Sequence, residues 1–169
     1  MTVKISEGEI TSWSRLFLRK NGFDIITSSI KGEKLYYQTE KSHTPRLKQP
    51  DSVAIKDRYI FILEDKVLYN DLFKSSKSVR SDVEKLQRLL SNSTLVTDFI
   101  AKLETITGVS KNWSIHGGCS SVLNEKSNKI LPTEFLHIAI KIKVDNITTF
   151  INSNSHRELF PINEYTQNI

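Results

Sequence analysis

The chain has 169 residues, with 24 Lys and Arg against 19 Asp and Glu, a net charge of +5 at pH 7 and a single cysteine. This length suits one domain with a single core, and one cysteine excludes an internal disulfide framework and a cysteine-rich zinc site. The mean hydropathy of −0.33 favours a soluble, folded protein. The moderate positive charge permits a polyanionic partner such as nucleic acid without requiring one.

The first 20 residues are interrupted by charged side chains, so they lack the apolar core of a signal peptide. No stretch of the sequence approaches the roughly 20 apolar residues that a membrane-spanning helix needs. We therefore expect an intracellular protein without a signal peptide, a transmembrane segment or membrane contact.

The first predicted element is a helix over about residues 7–20. Ser6 followed three residues later by Glu9 is a capping-box pattern, and the apolar residues that follow fall on one helical face. A short strand is expected at 23–27. The polar stretch 28–49 then precedes the best-defined part of the sequence.

Two strands are predicted next, at 52–55 and 59–64, with a turn at 56–58 between them. The second strand is almost continuously apolar, which is typical of a sheet strand that is covered on both faces. This pattern places the second strand near the centre of a sheet with helices packed on it.

The second half of the chain continues with helical and then strand patterns. Ser81 and Glu84 form another capping box, and the apolar spacing that follows predicts helical structure as far as Gly108, broken or kinked at 91–94.

Further strands are expected at 113–122 and 135–144. Gly117 and Gly118 predict a turn or bulge within the first of them. The polar tail after Asn152 is expected to be loosely ordered. The order of elements indicates a mixed α/β domain with a small central sheet.

Two carboxylates and a lysine converge in this arrangement. Asp51 lies at the start of one predicted strand, and Glu64 and Lys66 lie near the end of the next, on the same face because strand side chains alternate. If the two strands form a hairpin, Glu64 returns close to Asp51. Convergent carboxylates repel each other unless a cation is present, and Mg²⁺ prefers oxygen ligands. Such a centre suits phosphodiester hydrolysis.

Pro50-Asp51 followed by Glu64-Asp65-Lys66 resembles the signature of the PD-(D/E)XK nuclease superfamily, over roughly residues 5–90. The resemblance implies a restriction-endonuclease-like fold, in which an initial helix precedes a mixed central sheet flanked by helices. It also implies a Mg²⁺-dependent endonuclease, with Mn²⁺ as a possible substitute. The substrate would be DNA rather than RNA, and the protein would be cytoplasmic or associated with the nucleoid.

The resemblance assigns roles to individual residues. Asp51 and Glu64 would be metal ligands, the backbone carbonyl of Asp65 would also face the metal, and Lys66 would be the catalytic lysine. The family usually has a small or apolar residue where this chain has Asp65. This charged side chain must therefore find a partner or lie at a strand end.

Many members of the superfamily add an acidic residue from the first helix. Glu9 is the first candidate for this role, as a catalytic and metal-binding residue, and Glu7 is the second. The alternative for Glu9 is its capping position, where glutamate stabilises the start of a helix. Glu7 equally suits an acid that interacts with the helix dipole.

Basic residues flank the motif on both sides and are candidates for phosphate contact. The candidate nucleic-acid-binding residues are Lys41, His43, Arg46, Lys48, Lys74, Lys77 and Arg80. His43 could also bind a second metal ion. For each of these residues the alternative is an ordinary solvated loop.

The whole chain is interpreted as one nuclease-like domain, with a core at about 5–108, additional strands at 109–152 and a tail at 153–169. Homodimerisation is expected because two strand cuts need two sites, and a partner protein is possible. The alternative function is a catalytically silent module of the same fold that binds nucleic acid or a partner protein.

Overall fold

A computed structural model describes residues 4–26, 37–38, 47–77 and 79–169. The helices of these ranges are α1 (Glu7–Lys20), α2 (Asp82–Leu90) and α3 (Ser93–Thr107), with 3-10 turns at Tyr69–Phe73 and Arg157–Leu159. The strands are β1 (Asp24–Ile25), β2 (Tyr37–Gln38), β3 (Leu47–Lys48), β4 (Ser52–Lys56), β5 (Tyr59–Leu68), β6 (Ser114–Val122), β7 (Leu136–Ile142), β8 (Asn146–Ile151) and β9 (Glu164–Asn168).

The predicted helix starts are confirmed. The Ser6 hydroxyl accepts a hydrogen bond from the Glu9 backbone N–H at 3.2 Å, and the Ser81 hydroxyl accepts one from the Glu84 N–H at 3.2 Å. Each bond satisfies a backbone donor that the first helical turn leaves open. The expected break after α2 is also present, and Asn92 caps α3.

In the described part of the chain, seven strands form one mixed sheet in the order β1-β4-β5-β6-β7-β8-β9, while β2 and β3 pair separately. The pairs β5–β6 and β6–β7 are parallel, and the other neighbours are antiparallel. Strand β5 therefore has partners on both edges, as its apolar run predicts.

Helices cover both faces of β5. Phe61 and Leu63 pack with Phe17 of α1 on one face, and Ile60 and Ile62 pack with residues of α2 and α3 on the other. The apolar area that both faces remove from water is the main source of stability here. The architecture is thus mixed α/β, with a seven-stranded sheet flanked by helices.

Three expectations about the strands need correction. Strand β5 continues to Leu68, past the motif, with a register shift between Asp65 and Leu68. Gly117 and Gly118 do not interrupt β6, and a Cβ on Gly118 would lie 2.4 Å from Leu63 Cδ2, so this glycine makes room for a buried leucine.

The tail is the third correction. Strand β9 pairs with β8, and Leu159 and Phe160 are buried. The Asn21 side chain also bonds both backbone groups of Ile162. Only a few residues anchor this segment to the rest of the domain. The others are polar, and for this reason the sequence does not predict an ordered strand here. In the described ranges, no helix is long and apolar enough to cross a membrane.

Candidate active site

The pairing of β4 with β5 brings the two halves of the motif together. Ser52 pairs with Leu63 in the antiparallel ladder, so the register continued by one residue places Asp51 opposite Glu64. The Asp65 backbone N–H donates to Asp51 Oδ2 at 2.8 Å. This bond ties the start of β4 to the motif on β5.

Helix α1 fixes the same corner from outside the hairpin. Arg15 donates through its guanidinium to the Asp51 carbonyl oxygen at 2.6 Å and to the Ser52 hydroxyl at 2.9 Å. The backbone of Asp51 is therefore held by a rigid element as well as by the sheet.

Asp65 points to the opposite side of the sheet from Glu64 and has the partner that the sequence requires of it. It is fully buried, and the Thr11 hydroxyl of α1 donates to its Oδ2 at 2.7 Å. Burial raises the pKa of the Asp65 carboxyl to about 7, and the Asp51 charge adds to this rise. The hydroxyls of Thr11 and Ser120 and the Arg15 guanidinium oppose the rise, because they favour the ionised form.

Lys66 lies between the first residues of two helices. Its Nζ is 3.4 Å from Glu7 Oε2 and 3.8 Å from Asp82 Oδ2. Glu7 begins α1 and Asp82 begins α2, where a carboxylate also interacts favourably with the helix dipole. The two helices thus orient the lysine from opposite sides.

Asp82 is a site residue that the sequence does not predict, and it pairs with Lys85 of the same helix. Lys85 Nζ lies 3.4 Å from Asp82 Oδ1, and both side chains are at most one-tenth exposed. The only sequence signal is that Asp82 follows a capping serine, which is equally typical of an ordinary first-turn acid. Its approach to Lys66 is a tertiary contact that spacing along the chain does not encode.

Cys119 lies beside the acidic residues of the candidate site. It pairs with Glu64 across β5 and β6 and is buried. Burial raises the pKa of the Cys119 thiol well above its ordinary value, and four carboxylates raise it further: Asp82, Glu64, Asp65 and Asp51. Four acidic side chains therefore gather near Cys119, together with the cationic groups of Arg15, Lys66 and Lys85 that contact Asp51 and Asp82.

The other predicted residues lie on α1 and in the segments on either side of the motif, and some fall outside the described residues. Glu9 is exposed at the capping position, whereas Glu7 contacts Lys66. Lys74 is exposed and pairs with Asp71 at 2.6 Å, Lys77 is exposed, and Arg80 is half-buried. Three candidates lie outside the described residues, and the side chain of a fourth does too: Lys41, His43, Arg46 and Lys48.

Among the described residues, no three carboxylate, imidazole or thiol groups are already arranged to hold a metal ion. The oxygens at this corner are those of Asp51, whose Oδ2 accepts the Asp65 N–H, those of the fully buried Glu64, and the backbone carbonyl of Asp65. Comparisons of the chain with protein-family models, with curated proteins and with solved structures find no match.

Proposed function

We propose that this chain is a metal-dependent nuclease of the PD-(D/E)XK type, with a restriction-endonuclease-like fold, that hydrolyses phosphodiester bonds in DNA. The observation that carries the proposal is the β4–β5 register, which ends with Ser52 opposite Leu63 and so brings Asp51 to the motif, where its Oδ2 accepts the Asp65 N–H. Lys66 follows on the same strand, within ion-pair distance of Glu7 and Asp82. An initial helix, a mixed sheet and helices on both faces support the same assignment.

The chemistry of the donor set suits a hard divalent cation. Asp51 and Glu64 would hold Mg²⁺ or Mn²⁺ together with the Asp65 carbonyl oxygen. Mg²⁺ keeps several waters and is commonly held by only one or two carboxylates, so a site without three protein carboxylates remains suitable. When bound, such an ion offsets phosphate charge and activates the attacking water.

The remaining residues of the site would stabilise the charge on the phosphate or hold Lys66 in position. The Lys66 ammonium would donate hydrogen bonds to a phosphate oxygen, whose charge grows in the transition state. Glu7 and Asp82 hold that ammonium in place, and Lys85 neutralises the second oxygen of Asp82. Glu7, because of its contact with Lys66, takes precedence over Glu9 as the acidic residue from α1.

The basic residues that follow β5 are the proposed contacts for the nucleic-acid backbone. Lys74, Lys77 and Arg80 lie in the segment between the 3-10 turn at Tyr69–Phe73 and α2, which begins at Asp82. Phosphate contacts of this kind position a nucleic acid without reading its sequence.

The test is a cleavage assay on linear, branched and single-stranded DNA with Mg²⁺ or Mn²⁺. Asp51→Asn keeps an oxygen that can accept from the Asp65 N–H but removes the charge, so it should fold and lose at least about a hundredfold in rate. Lys66→Met should lose a similar factor. Asp24→Asn removes an exposed carboxylate of β1 and should cleave like the wild type.

A second candidate is a catalytically silent module that binds nucleic acid or a partner protein. The observation in its favour is that Asp51 Oδ2 already accepts a backbone hydrogen bond and Lys66 is already ion-paired. Absence of cleavage in every substrate, together with DNA binding that Asp51→Asn leaves unchanged, would favour this candidate over the enzyme.

A further inference from the structure

A polar cleft of about 380 Å³ opens beside the candidate active site. It lies between the segment that joins β6 to β7 and the residues that follow β8. Its apolar lining includes Leu131 and Phe135, and its polar lining includes Asn124, Asn152 and Lys129. This volume is within the range of small-molecule sites.

The strand register relates the cleft to the active site. Glu64 pairs with Cys119, and Cys119 pairs with His137, which lines the cleft. Residues paired in this way share a face of the sheet, so Glu64 and His137 lie on one face, two strand spacings or about 10 Å apart. Tyr69, which lies three residues beyond Lys66, also lines the cleft.

The floor of the cleft is rigid and uncharged. One ring nitrogen of His137 bonds the Ser121 hydroxyl at 3.3 Å and the other bonds the Asn152 amide at 3.2 Å. Tyr69 packs on the same imidazole, with 5.3 Å between ring centroids, and donates its hydroxyl hydrogen to the Lys129 carbonyl. Burial lowers the pKa of His137 to about 4, which leaves the ring neutral at physiological pH.

We propose that this cleft binds one nucleobase of the nucleic-acid substrate, from a nucleotide next to the one that is cleaved. The assignment rests on the proposed nuclease function. Apolar side chains can contact the faces of a planar ring, while amides such as Asn124 and Asn152 offer both donors and acceptors to a base edge. Lys129 supplies a cation for the phosphate of the same nucleotide.

The charge and polarity of the lining favour a nucleobase with one phosphate over a polyphosphate or a purely apolar ligand. A polyphosphate would need several cations, whereas Lys129 is the only cationic side chain among the described residues that line the cleft. A purely apolar ligand would exclude water from the amide atoms of Asn124 and Asn152 that do not take part in their bonds to Lys126 and His137, which is costly. An uncharged heterocycle that carries a single phosphate satisfies both requirements.

The test fills the cleft from its rim. Thr133 is exposed and lines the opening, so Thr133→Trp should block the cleft without disturbing the core, and Asn154→Trp should do the same from another side of the rim. Thr97→Trp, at an exposed position of α3, is the matched control. Equal urea midpoints for all three variants and the wild type establish that each is folded.

The first measurement is binding of deoxyadenosine and thymidine monophosphates by NMR, without metal. The second is KM and kcat for a short single-stranded DNA with Mg²⁺. Both rim variants should bind the mononucleotides about tenfold more weakly and raise KM by a similar factor, the size expected for losing contacts with one base. Their kcat should stay within about twofold of the control.

The outcomes separate this assignment from the proposed function. The rim variants could cleave with the same KM as Thr97→Trp and bind the mononucleotides equally well. This result would overturn nucleobase binding in the cleft and leave the proposed nuclease function intact. Nucleotide binding that the rim variants lose, in a protein that cleaves no DNA, supports the cleft and overturns the nuclease. Failure of the wild type to bind either mononucleotide, with an unchanged KM in the rim variants, also overturns the cleft.

Discussion

Neighbouring residues of β5 have opposite surroundings, and the candidate site depends on this difference. Glu64 faces the side of α2, whereas Asp65 is buried against α1, where Thr11 donates to it. Strand alternation alone explains why one residue can serve the site while the next one joins a helix to the sheet. The Asp65 backbone N–H still serves the site, because it bonds the Asp51 carboxylate.

His137 makes stability depend on pH. Burial lowers its pKa from 6.5 to about 4, so between those values the unfolded chain binds a proton that the native protein does not. The stability that the native protein gains from burying a neutral His137 is therefore fully present above pH 6.5 and is lost as the pH falls toward 4. Between pH 7 and pH 5 the free energy of unfolding falls only below pH 6.5, that is over roughly 1.5 pH units, which corresponds to about 2 kcal/mol.

His137→Gln keeps polar atoms near Ser121 and Asn152 but cannot titrate, so it should lack this part of the acid destabilisation. The measurement is the free energy of unfolding in urea at both pH values. The advantage of the wild type over the variant should shrink by about 2 kcal/mol on acidification. His116, whose pKa is also lowered to about 4, is present in both proteins and cancels. An equal difference at the two pH values would contradict the assignment.

For single residues, the sequence predicts the features that follow from strand alternation and from spacing along the chain. It places Glu64 and Lys66 near the end of a buried strand and requires a partner for Asp65. It does not predict the contact of Asp82 with Lys66 or the environment of His137, because these depend on how α2 and the segment between β6 and β7 lie against the sheet. Such contacts join residues far apart in the chain and leave no local pattern.

Among the secondary-structure elements, α1 shows the strongest agreement between local pattern and fold. Its capping box, apolar face and terminal Asn21-Gly22 predict the bounds that the structure has. Strand β6 disagrees with its local pattern, because its two glycines read as a turn. Their reason is steric rather than conformational, since Leu63 of β5 and Leu136 of β7 occupy the space beside Gly118, and Leu90 of α2 and Phe135 occupy the space beside Gly117. A single sequence cannot distinguish these two uses of glycine.

Gly118→Ala tests this interpretation of β6. The added Cβ would lie 2.4 Å from Leu63 Cδ2 and 3.0 Å from the Leu136 carbonyl oxygen. Because Leu63 is fully buried, the clash must be relieved by strained packing, which should lower the free energy of unfolding by about 1–3 kcal/mol.

The control substitution has the opposite sign. Gly8 lies within α1, and a Cβ there would meet nothing closer than Ser6 Oγ at 3.8 Å. Gly8→Ala should therefore raise the free energy of unfolding by about 0.5–1 kcal/mol, because alanine is the better helix former. Urea denaturation of both variants measures the two effects, and a neutral or stabilising Gly118→Ala would refute the steric account.

In the molecule as a whole, the sheet brings separate parts of the chain to one end. The motif on β4 and β5, the first residues of α1 and α2, and the cleft beside β7 all adjoin this end or its α2-side face. The sequence predicts the helix-and-sheet class but not the pairing of β8 and β9, because β9 is polar apart from Tyr165. Their place in the sheet is secured by pairing with strands that the core already fixes.

Metal binding at this end should raise the stability of the entire protein, since an ion that binds only the native state shifts the unfolding equilibrium. At a metal concentration about ten times the dissociation constant the gain is about 1.4 kcal/mol, or about 3–6 °C in Tm for a domain of this size. Thermal unfolding with and without Mg²⁺ or Mn²⁺ measures this shift. Asp51→Asn and Glu64→Gln should remove most of it, and Asp24→Asn should retain it, because Asp24 is an exposed residue of the edge strand β1. Equal metal-dependent shifts in all four proteins would show that the ion binds elsewhere, and the assignment of Asp51 and Glu64 as ligands would then be wrong.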